Sequence, residues 1–127
     1  IGKNDPNVIA ILDWELSTLG DPCADFNYHC LQYTMNAKLA DKEYCKAQGI
    51  PVIDDYVKMY SEKINIDLTE EWDLYSAYNL FKLAGILQGI LGRVRDGTAA
   101  HENAAERASG VKNLSDTAWA LVEKNFI

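Results

Sequence analysis

Residues 69–95 constrain the fold of this 127-residue chain most, because they predict one long helix that is apolar on nearly every side. Acids in its first turn lie where the helix dipole favours negative charge. Its apolar residues form one ridge (Leu80, Leu83, Leu87, Ile90 and Val94), and three glycines form a narrow groove beside it (Gly85, Gly89 and Gly92). A helix of this kind belongs in the middle of a bundle. We therefore expect a mainly α-helical fold in which another backbone approaches the glycine groove.

Capping residues and apolar spacing predict the other helices. Asp21 suits an N-cap and Pro22 the first helical position, so a helix is expected from there to Met35. Shorter helices follow at 41–48 and 52–64, and after an alanine-rich segment Ser115 opens a final amphipathic helix. The sequence contains no repeat and no flexible linker. Residues 1–127 are therefore expected to form one domain.

The chain opens with a predicted β-strand. Residues 8–12 are five consecutive apolar residues, three of them β-branched, and they follow a turn at residues 4–7. This pattern indicates a fully buried strand. Of a partner strand before the turn only Ile1 is present. Because a two-stranded ribbon alone is marginally stable, we expect the chain to begin in the middle of a larger structure.

Two carboxylates follow this strand, Asp13 and Glu15. In an extended chain, side chains two residues apart point the same way. Hard cations such as Mg²⁺ prefer carboxylate oxygens and bind nucleotide phosphates through one or two of them. The pair therefore indicates a metal site, and the alternative is that Asp13 caps the turn after the strand.

The charge and the cysteine content of the chain argue against several kinds of binding partner. The net charge of −7 disfavours nucleic acid or an anionic membrane as the main partner, and no apolar stretch approaches the roughly 20 residues that span a bilayer. Three cysteines without a CxxC pair, with only His29 and His101 beside them, do not make a zinc site. We expect reduced, buried thiols in a cytoplasmic protein.

Two blocks of sequence resemble one family. Residues 8–26, which read VIAILDWELSTLGDPCADF, resemble the metal-binding segment of the aminoglycoside phosphotransferase/choline kinase-like family. Residues 75–97 resemble a late helix of the branch related to kinase domains fused to acyl-CoA dehydrogenases. The resemblance implies the C-terminal helical lobe of a protein-kinase-like fold, with a short N-terminal strand pair. It also implies that the N-terminal lobe and the catalytic loop are absent, since neither a phosphate-binding glycine motif nor a His-x-Asp loop occurs here.

The resemblance assigns roles to individual residues. Asp13 matches the Mg²⁺-binding aspartate, and Glu15 matches an acid that assists at the metal in some members. Asp25 matches a buried acid that anchors the catalytic loop, a structural role. In this family the acceptor lies against the helical lobe, so four residues on one side of the long helix are candidates for its pocket: Tyr75, Tyr78, Asn79 and Lys82. The alternative for these four is ordinary packing with a snorkelling lysine.

The activity implied is ATP-dependent transfer of the γ-phosphoryl group to a hydroxyl of a small molecule, with Mg²⁺ as cofactor and ATP as co-substrate. Aminoglycosides, choline-like alcohols and hydroxyacyl thioesters are acceptors in the wider family, and the branch favours a hydroxyacyl compound. No catalytic base lies in this chain, so we expect it to be inactive without the missing lobe. The apolar surface which that lobe would cover favours self-association. The rival interpretation is a non-catalytic helical binding or scaffold module, a pseudokinase-like remnant.

Overall fold

The computed structural model describes residues 2–127, apart from the side chains of Leu16, Arg107 and Phe126. Ile1, the expected remnant of a partner strand, lies outside the described residues. Within them the chain forms a single 3₁₀ turn (Trp14–Leu16) and seven α-helices. The helices are α1 (Pro22–Met35), α2 (Ala37–Ala40), α3 (Lys42–Ala47), α4 (Ile53–Ile64), α5 (Trp72–Arg95), α6 (Ala104–Arg107) and α7 (Val111–Phe126). None of these helices is long and apolar enough to cross a membrane.

The predicted boundaries of α1 and the predicted end of α5 are confirmed, and their physical causes are visible, whereas α5 begins at Trp72, three residues later than predicted. The Asp21 side chain accepts a hydrogen bond from the backbone N–H of Cys23, and Pro22 is the first residue of α1. Helix α5 ends at Arg95, and Gly97 turns the chain away with φ of +71°, which favours glycine. Two regions predicted as helical, 41–48 and 52–64, contain α3 and α4.

Helix α1 connects two apolar clusters that form the core. On one side its residues Cys23, Phe26 and Cys30 pack with Val57 of α4 and with Leu68. On the other side Leu31 packs with residues of α5 and α7, namely Leu80, Ala84, Leu114 and Ala118. The aromatic rings of Phe26 and Tyr60 stack with centroids 3.9 Å apart. The three cysteines are buried and free, as the sequence predicts, and burial raises the pKa of the Cys30 thiol to about 12.

The expectation that α5 is buried all round is wrong for the chain described here. Helix α5 packs against α1, α6 and α7, but part of its surface is open, and Phe81 is 71% exposed. A Cβ built at Gly85 or Gly92 meets no atom within 4 Å, and one at Gly89 meets only the end of the Arg93 side chain. No backbone among the described residues therefore enters the glycine groove. The apolar surface of α5 is therefore wider than the area that these three helices cover.

The prediction of a buried N-terminal strand is also wrong. Residues 8–12 belong to no strand in the described part of the chain, and Ile9 and Leu12 are 72% and 82% exposed. The pairing found there is a single antiparallel bridge between Gly2 and Asp5. A strand needs a neighbour to satisfy its backbone groups, and the described residues do not supply one.

Helix α7 begins four residues earlier than the sequence pattern suggests, at Val111 rather than Ser115. Ser115 donates its hydroxyl to the carbonyl of Val111, and Thr117 donates to Asn113, so both hydroxyls bond inside the helix instead of capping it. Leu114 is buried against α5, and this contact extends the helix towards its N-terminus.

Candidate functional site

Asp13 lies at a sharp turn of the backbone. Its φ and ψ are 72° and 41°, the left-handed region that few residues other than glycine adopt, and the 3₁₀ turn follows at once. The ring N–H of Trp14 donates to the carbonyl of Ile11 over 2.8 Å, which closes the turn. Backbone strain in a non-glycine residue persists where the surroundings or a function maintain it.

The carboxylates of Asp13 and Glu15 are both exposed, and the Asp13 side chain does not cap the turn. Neither carboxylate hydrogen-bonds to another described residue. The chain between them is turned rather than extended. The two-residue spacing of an extended strand, which would point both side chains the same way, is therefore lost. Among the described residues no group of three or more acids, histidines or cysteines is placed to hold a metal.

A cleft of about 610 Å³ opens beside this turn, between the segment 14–25 and helix α5. It brings together four of the residues singled out in the sequence: Asp25, Tyr78, Asn79 and Lys82. The rest of its wall is formed by Trp14, Ser17, Thr18, Leu19, Gly20, Asp21, Pro22 and Ala24. Asp13, Glu15 and Tyr75 do not line it, although Asp13 and Glu15 flank Trp14.

Tyr75, on α5, hydrogen-bonds to Asp21 in the segment that lines the cleft. Its hydroxyl donates to Asp21 Oδ2 over 2.7 Å, while Asp21 Oδ1 accepts the N–H of Cys23 over 2.8 Å. These two bonds, the tyrosine's first, lower the pKa of the Asp21 carboxyl. The bond to this carboxylate in turn raises the pKa of the Tyr75 phenol. Asp21, itself part of the cleft wall, therefore holds the N-terminus of α1 against α5.

Asn79 is 1% exposed, and its side-chain amide already serves the fold. The amide nitrogen donates to the carbonyl of Ala24 over 2.8 Å and to Asn27 Oδ1 over 3.0 Å. Asn27, also 1% exposed, donates its own amide to the hydroxyl of Ser76 over 2.9 Å. The network fixes α1 on α5 beneath the cleft. A substrate role for Asn79 stays a prediction.

Tyr78 and Lys82 are the exposed members of the predicted pocket. The Lys82 ammonium lies 4.9 Å from the centroid of the Tyr28 ring, a cation–π distance. Tyr78 contributes both to this cleft and to an apolar groove of about 620 Å³ between α5 and α7. Both side chains are therefore accessible to a ligand in the cleft.

The resemblance matches Asp25 with a buried acid, but the side chain of Asp25 on α1 is exposed, so the expectation of burial is wrong. The polar residue that is buried on α1 is Asn27, two positions later, which is neutral and fully satisfied by hydrogen bonds. An amide costs less to bury than a carboxylate, which explains the difference. The role of Asp25 in anchoring a catalytic loop stays a prediction, because no such loop lies in this chain.

The chain is similar to long proteins named for another activity. It is 36% identical over 92% of its length to acyl-CoA dehydrogenase family member 10 of Mus musculus. It is 34% identical over 94% of its length to family member 11 of Rattus norvegicus, and 33% over 94% to probable acyl-CoA dehydrogenase IBR3 of Arabidopsis thaliana. The chain is homologous to one segment of these proteins.

That segment is a small part of each relative. The chain spans 11% of the mouse protein, 16% of the rat protein and 15% of the plant protein. No protein-family profile and no solved structure matches the chain significantly. The predicted relation to proteins of the acyl-CoA dehydrogenase family is confirmed for this segment. The kinase-like lobe stays a prediction.

The donor atoms near the turn fit a magnesium ion in their chemistry. Mg²⁺ keeps several of its waters and uses one or two protein carboxylates, so a large protein cage is not required. Asp13 and Glu15 are exposed and have no other described partner for their oxygens.

Sequence reasoning missed the buried amide pair and the loop hydroxyls of the cleft. Asn27 falls between Phe26 and Cys30 on the buried side of α1, and a polar residue on such a face is a signal for a structural hydrogen-bond network. The contribution of Ser17 and Thr18 to the cleft carries no comparable signal, because loop residues are positioned by packing that local sequence does not specify.

Proposed function

We propose that this chain is part of an ATP-dependent phosphotransferase of the kinase type, acting on an alcohol. The observation that carries the proposal is the left-handed turn at Asp13, which presents an exposed carboxylate without a capping bond immediately before a residue of the cleft wall. This is the segment that resembles the family's metal-binding sequence.

In the proposed reaction the hydroxyl oxygen of the acceptor forms a bond to the γ-phosphorus of ATP. The bond from that phosphorus to the bridging oxygen of ADP breaks, and the hydroxyl proton passes to a base outside this chain. Mg²⁺, when bound, neutralises the charge on the phosphate oxygens. Asp13 would hold this ion, and Glu15 would support it directly or through a water.

The cleft beside the turn is the proposed place of the acceptor. Lys82 would bind an anionic or hydroxyl group of the acceptor, and Tyr78 would pack along its carbon skeleton. Asn79 and Tyr75 then act one layer below, by holding α1 and its preceding loop on α5. A hydroxylated acyl compound suits this arrangement, because Tyr78 also borders an apolar groove that could accept an acyl chain.

Replacing Asp13 by Asn in the full-length protein tests the proposal. The side chain keeps its size and its tolerance of the left-handed backbone but loses its charge, so we expect kcat for phosphorylation of a hydroxylated acceptor to fall by about 10³-fold. The unfolding midpoint should not change. Glu102→Gln, which removes an exposed carboxylate from the loop before α6, is the matched control and should keep full activity. Near wild-type turnover by Asp13→Asn would contradict the assignment.

The second candidate is a non-catalytic helical module. It is favoured by the turn at Asp13 and Trp14–Leu16, because a turned chain loses the extended spacing that would point the carboxylates of Asp13 and Glu15 the same way. On this hypothesis the full-length protein transfers no phosphate from ATP to any hydroxylated acceptor, and Asp13→Asn has no effect beyond stability.

A further inference from the structure

Lys82 is the only cationic side chain among the described residues that line the cleft. Its ammonium lies 4.9 Å from the centroid of the Tyr28 ring, a cation–π distance. Asp21 and Asp25 also line the cleft, but in the described part of the chain neither forms an ion pair with Lys82. An aromatic ring holds an ammonium without neutralising it and leaves N–H donors available, so Lys82 can still bind an anion.

The Tyr28 ring is a fixed platform for this ammonium. Tyr28 is half-buried on α1 and packs against the core cluster that α1 forms with α5 and α7. The residue before it, Asn27, accepts the amide of Asn79 over 3.0 Å, and Asn79 lies about one turn before Lys82 on α5. A lysine side chain has many rotamers, and contact with a fixed ring selects those that place its ammonium at the cleft.

We propose that this pair selects acceptors that carry an oxyanion, a negatively charged oxygen group such as a carboxylate. Lys82 binds the oxyanion. Tyr28 does not line the cleft, so it is a positioning residue that acts through Lys82. The inference rests on the proposed function, which places the acceptor in this cleft, and it narrows the acceptor from any alcohol to a hydroxylated anion. A cleft of about 610 Å³ has the size of small-molecule sites in proteins.

A second pair of the same kind lies outside the cleft. The Lys38 ammonium lies 5.9 Å from the centroid of the Tyr44 ring, on the short helices α2 and α3. Its lysine is exposed and its tyrosine is half-buried, as in the first pair, but neither residue lines the cleft. Substitutions in this pair therefore control for the loss of a surface cation–π contact as such.

Isothermal titration calorimetry of the full-length protein, without ATP, tests the charge preference. The probes are 6-hydroxyhexanoate and its neutral analogue 6-hydroxyhexanamide. Wild type should bind the carboxylate at least about tenfold more tightly than the amide. Lys82→Met keeps the length of the side chain without its charge, so this variant should bind the two probes equally. Lys38→Met is the control and should behave as wild type.

Substitutions at Tyr28 test the positioning role. Tyr28→Leu should weaken binding of the carboxylate about two- to fivefold, as expected for an exposed cation–π contact, and leave binding of the amide unchanged. Tyr28→Phe keeps the ring and should bind within about twofold of wild type. Tyr44→Leu is the control and should change neither dissociation constant. The unfolding midpoint of each variant is measured, and Tyr28→Met takes the place of Tyr28→Leu should the latter not fold.

Equal binding of the two probes by wild type would overturn the proposal, and an acid elsewhere in the full-length protein that neutralised Lys82 would have this effect. So would failure of wild type to bind the carboxylate at about 10 mM, a preference that Lys82→Met retains, or wild-type binding of the carboxylate by Tyr28→Leu. Lys82→Met should leave the dissociation constant of Mg-ATP unchanged. A loss of affinity for Mg-ATP alone would assign Lys82 to the phosphates of ATP and contradict the proposal.

These titrations need no phosphoryl transfer, so the two proposals fail separately. A full-length protein that keeps the charge preference but transfers no phosphate would contradict the proposed function and leave the anion site in the cleft.

Discussion

The buried amide pair of Asn27 and Asn79 has the clearest energetic role of any residues in this chain. Two asparagines with 1% exposure would be costly in an apolar core without partners. Here one donates to the other, and the remaining amide hydrogens reach the carbonyls of Ala24 and Trp72 and the hydroxyl of Ser76. Because hydrogen bonds are directional, the pair selects one register of α1 on α5, whereas leucines at these positions would permit several.

Asn79→Leu should lower the free energy of unfolding by about 3 kcal/mol, because Asn27 Oδ1 and the Ala24 carbonyl would both lose their donor in a buried site. Urea denaturation monitored by circular dichroism measures the change. The control is Asn103→Leu at the exposed start of α6, where the asparagine makes no capping bond, with an expected change within about 0.5 kcal/mol. Equal losses in both variants would show that the buried network contributes nothing specific.

At the scale of secondary structure, α5 carries glycines that the described fold does not use. Gly85 lies in the middle of the helix with open space where a side chain would be. Gly97, two residues after the helix ends, has positive φ and needs the freedom of glycine. Substitution by alanine should therefore change the free energy of unfolding in opposite directions at Gly85 and Gly97.

Gly85→Ala should raise the free energy of unfolding by about 0.5–1 kcal/mol, because alanine has the higher helix propensity and meets no atom. Gly97→Ala should lower it by about 1 kcal/mol, because its Cβ disfavours the left-handed region. Chemical denaturation of the two single variants measures both. Destabilisation by Gly85→Ala would mean that another backbone contacts this groove in solution.

On the scale of the whole molecule, the N-terminal segment (residues 2–19) makes few contacts with the helical body (residues 20–127). Among the described residues no hydrogen bond joins residues 2–19 to the remainder, and none of the buried core side chains comes from this segment. The core consists of the two apolar clusters that α1 connects. The candidate site lies between the two parts, because the loop 14–20 forms one wall of the cleft, and the start of α1 and α5 form the rest.

A chain that begins at Leu19 should therefore keep the helical fold, with a free energy of unfolding within about 0.5 kcal/mol of the full chain. Differential scanning calorimetry and helical circular dichroism check this. As a comparison, a chain that ends at Gly110 lacks Leu114 and Ala118, which belong to the second core cluster, and should lose cooperative unfolding. Collapse of the first truncated chain would show that the N-terminal segment stabilises the body.

Much of the helical plan could be predicted from sequence because its signals are local. Asp21 and Pro22 fix the start of α1, and Gly97 follows the end of α5. The start of α7 could not be found in this way, since Ser115 looks like a cap but bonds back to Val111 once Leu114 is packed. For the candidate site, the sequence selected Tyr78 and Lys82 of the cleft but gave Asp25 the wrong environment.

By itself the sequence determined the caps, the helices and the presence of carboxylates after an apolar run, because propensity and periodicity act over a few residues. The tertiary structure decided which apolar faces find partners and which polar side chain is buried. These outcomes depend on contacts between residues about fifty positions apart, such as Asn27 with Asn79 and Asp21 with Tyr75. No local pattern specifies such contacts, because they form only when whole helices pack.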